Sequence, residues 1–89
     1  MNFGKAVELL KEGNRVARKG WNGKGMFVYY VSGSSIHHLN HPNGNFGGTH
    51  EDDLIIQDPY IAMKTVQNTV VPWLASQSDI LAEDWEIVS

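Results

Sequence analysis

Phe3, Ala6, Val7 and Leu10 recur at the three-and-four spacing of an amphipathic helix, and Leu9 widens the apolar stripe. The spacing predicts a helix from about Asn2 to Glu12, with Asn2 accepting from the orphan N–H groups at its start and Gly13 supplying a left-handed stop. The period then shortens. Arg15-Val16-Ala17-Arg18 reads as a short strand and Met26 to Val31 as a second, joined through a glycine-rich turn into the best-marked hairpin of the chain. Phe27, Val28, Tyr29 and Tyr30 favour a strand but alternate too weakly to say which face is buried. From Ser32 to Asp53 the apolar pattern lapses into glycine, asparagine and histidine, which reads as a long functional or mobile loop holding at most a short hairpin; Leu54-Ile55-Ile56 is a candidate short strand.

The pattern resumes at Pro59 to Val66, where Tyr60, Ala62 and Lys64 alternate with Ile61, Met63 and Thr65. Gln67-Asn68 fits a two-residue turn, Thr69-Val70-Val71 the returning strand, and Pro72 its end. Ser76 or Ser78 is placed to cap a helix of about two turns through Ile80, Leu81 and Ala82, with Asp79 complementing the dipole. Trp85 and Ile87 share a face of a last strand, Trp85 to Val88, so Trp85 is expected in the core. The expected fold is α+β: one domain over residues 1–89, a mainly antiparallel sheet, an N-terminal helix and a short C-terminal helix.

Eighty-nine residues bury a modest core, which subunit association would help. With no cysteine, disulfides and thiolate chemistry are excluded and a reducing cytoplasm suits the chain. Its longest apolar run, Met26 to Val31, is far short of the roughly 20 residues a membrane span needs. The net charge of −3 conceals a division. Residues 1–24 carry six cations against two carboxylates, a net of +4, and the rest carries Lys64 against eight carboxylates, a net of −7. A basic end on an acidic protein suits a small anion better than a long polyanion, which argues against nucleic acid as a partner; opposite charges can equally dock subunits or be solvated.

Two segments carry candidate chemistry. Arg18-Lys19-Gly20-Trp21-Asn22-Gly23-Lys24-Gly25-Met26 sets cations and approachable backbone around one tryptophan, a composition suited to a nucleotide-like anion, although a tight turn also asks for glycines. Gly20 and Asn22 mark Trp21 as a loop residue with little reason to be buried unless a ligand or a second subunit covers it. Val71-Pro72-Trp73-Leu74-Ala75-Ser76-Gln77-Ser78-Asp79 sets a second tryptophan beside a helix start, where Ser76 and Gln77 add polar groups; Trp73 could stack on a base or fill the core. Of His37, His38, His41 and His50, His37 and His41 would have metal-ligand spacing on a helix, but Pro42, Asn43 and Gly44 break the region, so the histidines read as exposed loop residues or direct ligand contacts; Glu51-Asp52-Asp53 reads as a solvated run. No nucleophile-elbow pattern is present. No catalytic residue, metal or cofactor is expected.

The opening Met-Asn-Phe-Gly, Ala17 through Met26, Met63-Lys64-Thr65, and Pro72-Trp73-Leu74-Ala75-Ser76-Gln77-Ser78-Asp79-Ile80-Leu81-Ala82-Glu83-Asp84-Trp85 together resemble the second type of Thoeris anti-defence protein, a phage family. The resemblance spans nearly the whole chain, apart from Ser32 to Asp58. It implies a sponge, not an enzyme: a protein of the infected host's cytoplasm that binds the cyclic ADP-ribose signal of TIR-domain proteins without degrading it, as a homo-oligomer, tetrameric, with ligand pockets between subunits. Mapped onto these residues, Trp21 and Trp73 would wall the base, and Asn22, Ser76 and Gln77 would bond its edge, the ribose or phosphate. The backbone N–H groups of Gly23 and Gly25, with Arg18 or Lys24, would receive the pyrophosphate, and Met26 closes the segment. A small hydrolase of the same signal, or a scaffold whose tryptophans are interface core, are the alternatives.

Overall fold

Helix α1 (Phe3–Lys11) forms where the apolar stripe predicts it. Asn2 caps it, its side-chain oxygen accepting from the Lys5 N–H at 2.9 Å. The stop lies at Gly13, whose φ of 97° turns the chain so that its N–H reaches the Leu10 carbonyl. Asn14 then ties both its backbone and its side-chain N–H to the Leu9 carbonyl, which orients the entry into the sheet.

The computed structural model describes residues 1–21, 24–36 and 55–88. Beyond α1 the chain forms strands β1 (Arg15–Arg18), β2 (Phe27–Val31), β3 (Ser34–Ile36), β4 (Ile55–Gln57), β5 (Tyr60–Lys64) and β6 (Val70–Pro72), helix α2 (Gln77–Leu81) and strand β7 (Trp85–Val88). The main sheet runs β6-β5-β2-β1-β7, with each neighbouring pair antiparallel, and β3 pairs with β4 apart from it. The expected α+β class therefore stands, with one strand more than the pattern suggests: β3 lies inside the stretch read as a loop, and Ile36 pairs with Ile55. Residues 37–54, which include all four histidines and Glu51-Asp52-Asp53, lie outside the described residues.

Register decides the burial that alternation alone left open. Val16 pairs with both Val28 and Ile87, and Val28 with Met63, so Val16, Val28, Tyr30, Ile61, Met63 and Trp85 share the face that α1 covers. There Ala6, Leu10, Val16, Val28 and Trp85 are buried in one cluster, each large side chain contributing about 1.5–3 kcal/mol of apolar burial. Phe27, Tyr29, Ala62 and Lys64 point to the other face, where the Arg15 guanidinium stands 5.0 Å from the Phe27 ring.

The turn between β5 and β6 differs from the expected two-residue form. Thr65 and Thr69 close a three-residue loop: the Asn68 N–H donates to the Thr65 carbonyl, and Asn68 adopts a φ of 63°. A type I turn followed by a left-handed residue has this geometry, and asparagine tolerates that conformation. At Gly33 the backbone approaches so closely that a Cβ would stand 2.5 Å from the Gln57 carbonyl oxygen. Gly33→Ala should accordingly destabilise the protein by about 1–3 kcal/mol. A melting temperature equal to wild type would show that this crossing yields freely.

Candidate ligand site

Arg18 ends β1 on the α1 face, paired with Trp85 across the sheet. Beyond it the chain is drawn toward Asp84: the Lys19 N–H donates to the Asp84 carbonyl at 3.1 Å and the Gly20 N–H to Asp84 Oδ2 at 2.9 Å. The Trp21 N–H returns to the Arg18 carbonyl at 3.2 Å. This fold-back corrects the expectation that Trp21 needs a ligand or subunit to cover it. Its ring is half-buried against the protein's own core, edge-on to Trp85 at 5.4 Å and to Trp73 at 6.3 Å. Phe3 completes the cluster, 5.5 Å from Trp85 and 6.2 Å from Trp73, so the two candidate tryptophans are neighbours although 52 positions separate them.

Trp85 is core, as its alternation with Ile87 predicts, at 2% exposure; Trp73 is half-buried. The Trp73 N–H extends the β5–β6 pairing by donating to the Ile61 carbonyl at 3.0 Å, which fixes where its ring emerges. That ring also lines a cleft of about 500 Å³ together with Val7, Leu10, Lys11, Tyr30, Tyr60 and Ile61. Apolar walls with a few polar groups, in this volume range, are the usual constitution of a small-molecule pocket. Lys11, Tyr30 and Tyr60 each read in the sequence as an ordinary surface or strand residue; the β2–β5 register sets Tyr30 opposite Ile61, whose carbonyl holds the Trp73 N–H.

Of the two candidate caps, Ser76 starts α2. Its Oγ accepts from the Asp79 N–H and its own N–H donates to Asp79 Oδ2, both at 3.1 Å, a reciprocal capping box. The helix is five residues, shorter than expected, with Ile80 and Leu81 exposed. Asp79 changes the electrostatics of this end. Its carboxylate already occupies the helix start, so an arriving anion would meet a negative charge there.

Arg18 neutralises that charge. Its Nη1 donates to Asp79 Oδ1 and its Nε to Asp84 Oδ1, both at 2.9 Å, and the guanidinium side chain is only 22% exposed. The hydrogen bonds it donates, to Asp84 first and Asp79 second, push the Arg18 pKa up. Burial pushes Asp79 up, but Arg18, the Ser76 N–H and hydroxyl, and Trp21 more than offset it and hold the carboxyl below its ordinary 3.8. The Arg18 hydrogen bond is the main cause that also holds Asp84 low. A depressed carboxylate contributes stability that is complete above its unfolded pKa and disappears as pH falls through the folded one. Stability should thus be level above about pH 5 and decline below the ordinary carboxylate value, and Asp79→Asn should flatten the decline. Urea midpoints at pH 6, 4 and 3 check this; parallel curves for the two proteins would contradict it.

Lys24 is exposed, and the Gly25 carbonyl accepts from Lys64 Nζ at 3.0 Å, which ties the end of the β1–β2 loop to β5. Met26 is half-buried just before β2. Asn22 and Gly23 lie outside the described residues. Among the described residues, no group of three or more His, Asp or Glu side chains is placed to hold a metal ion, and no helix is long and apolar enough to cross a membrane.

The sequence model of the Thoeris anti-defense 2-like domain matches residues 1–88. A protein named Thoeris anti-defense 2, from Bacillus phage SP01, is 41% identical over 92 aligned positions that take in all of this chain and 96% of that protein. The glycine-rich tryptophan loop and the Trp73–Trp85 segment, on which the resemblance was read, are the two segments that Arg18, Asp79 and Asp84 join, and this chain belongs to the Thoeris anti-defense 2-like family.

Proposed function

We propose that this protein is a phage anti-defence sponge that binds a cyclic ADP-ribose signal of the glycocyclic type made by TIR proteins, keeps it intact, and so withholds it from the Thoeris effector in the cytoplasm of the infected host. The observation that carries the reading is the meeting of Trp21 and Trp73, 6.3 Å apart, beside a cleft with further aromatic rings and Lys11. Family membership supplies the biological setting. Such a ligand has a base to stack, two phosphates to neutralise and ribose hydroxyls to bond.

In this reading Trp73 and Trp21 flank the base. Ser76 Oγ serves the cap and its O–H the Asp79 carboxylate, which leaves it an acceptor lone pair, and the exposed Gln77 amide offers both donor and acceptor. Lys24, with the Gly23 and Gly25 N–H groups, takes the pyrophosphate, Asn22 an edge or hydroxyl, and Met26 borders the loop. Titration calorimetry with cyclic ADP-ribose-type ligands tests it: saturable heat is expected, and absence of heat with every isomer would favour the scaffold reading. The hydrolase alternative would need a carboxylate free to activate water or to face the ligand. Asp79 and Asp84 are poorly suited to that, each oxygen being engaged by Arg18 or a backbone N–H.

A homotetramer with pockets between subunits belongs to the same proposal. Leu74, next to Trp73 in the chain, is 91% exposed, and Leu81, at the far end of α2, is 77% exposed, which is apolar surface well placed for a second protomer. Leu74→Glu with Leu81→Glu should lower the mass measured by light scattering. Unchanged mass would put the contact elsewhere.

A further inference from the structure

We propose that Arg18 is a positioning residue that acts through Asp84 and Asp79, setting the separation of the Trp21 loop from the Ser76–Gln77 segment, and that it is not the ligand's phosphate contact. The inference rests on the binding reading above and names what controls that site.

The geometry is a three-way brace. One guanidinium holds Asp84 Oδ1 and Asp79 Oδ1 at 2.9 Å each. Asp84 passes the restraint to the loop through its other oxygen, which accepts from the Gly20 N–H at 2.9 Å, one residue before Trp21. Asp79 passes it to the other segment, its Oδ2 accepting from the Ser76 N–H and its carbonyl from the Trp85 indole N–H at 3.0 Å. Both oxygens of each carboxylate therefore have a partner. Arginine is suited to this because its planar fork holds two acceptors at a fixed angle, whereas an ammonium is a single flexible point charge. A cation held between two carboxylates also presents little net positive charge to an incoming phosphate.

The two roles predict opposite signs. Asp84→Asn removes a negative charge near a site for an anion, so a simple electrostatic site would bind more tightly. The brace predicts weaker binding, because asparagine keeps a single acceptor oxygen and so loses either the Gly20 anchor or that arm of Arg18. The experiment measures the affinity of wild type, Asp84→Asn and Arg18→Lys for cyclic ADP-ribose by calorimetry at two salt concentrations, with thermal unfolding of each protein alongside. Expected is a loss of at least about fivefold for both variants, the low end of one lost stacking contact, with the wild-type salt dependence retained. Equal or tighter binding by Asp84→Asn, wild-type affinity in Arg18→Lys, or a reduced salt dependence would overturn the proposal. Should Asp84→Asn fail to fold, Arg18→Lys decides by the same criteria.

A ligand-free measurement separates this inference from the binding reading. Hydrogen exchange of the Trp21 indole N–H, followed by NMR, should accelerate in Asp84→Asn. Faster exchange in a protein that binds no cyclic ADP-ribose would leave the brace standing and the function refuted; unchanged exchange would refute the brace.

Discussion

Trp85→Ala is expected to remove most or all of the folded population. Trp85 is the largest fully buried side chain, at 2% exposure, in contact with Phe3, Trp21 and Trp73, and truncation of a buried aromatic costs about 3–5 kcal/mol. The Asp79 carbonyl would also lose its indole partner and keep only the longer bond from the Ala82 N–H at 3.4 Å. A domain of this size is stable by only about 4–13 kcal/mol. Circular dichroism and chemical denaturation should show loss of cooperative unfolding or a severely lowered midpoint. Trp85→Phe, which retains most of the volume and gives up the hydrogen bond, should fold with a smaller penalty. A melting temperature for Trp85→Ala within a few degrees of wild type would mean that the four-ring cluster does not hold the core.

Trp21→Ala is expected to weaken cyclic ADP-ribose binding by roughly 5- to 150-fold, the equivalent of about 1–3 kcal/mol for one lost stacking partner. Trp73→Ala should fall in the same range, since its ring faces both Trp21 and the cleft. Because Trp21 is half-buried in the protein's own core, its removal should lower stability as well. Calorimetry therefore belongs on protein shown to be folded at the working temperature, with Trp21→Phe included. Phenylalanine should recover part of the affinity through its π-face. Wild-type affinity in a folded Trp21→Ala would remove the base from this tryptophan.

The elements that sequence reading placed well are those whose signals are local. Helix α1 has its stripe, its Asn2 cap and its Gly13 stop within a dozen residues, and β7 has Trp85 alternating with Ile87. The family resemblance was legible for the same reason, being carried by short uncommon words. Features that depend on pairing were not legible. Strand β3 is polar enough to pass for loop, and exists by virtue of β4. The left-handed Asn68 lengthens a turn that the flanking residues alone make two residues long. Trp21 reads as exposed because Gly20 and Asn22 flank it, and nothing nearby in the sequence announces that Asp84 draws the loop onto Trp85. Arg18 was read for its charge alone. Its partners are 61 and 66 positions away, and knowing the β1–β7 register is what turns a candidate phosphate contact into a structural brace.

Capture without conversion is a statement about what the protein releases. Purified protein is mixed with TIR-derived cyclic ADP-ribose, washed by filtration and denatured by heat, and the freed material is identified by mass spectrometry. The proposal predicts intact cyclic ligand in stoichiometric amount. A linearised or cleaved product would make the protein an enzyme, and an empty filtrate would leave the tryptophans as core alone.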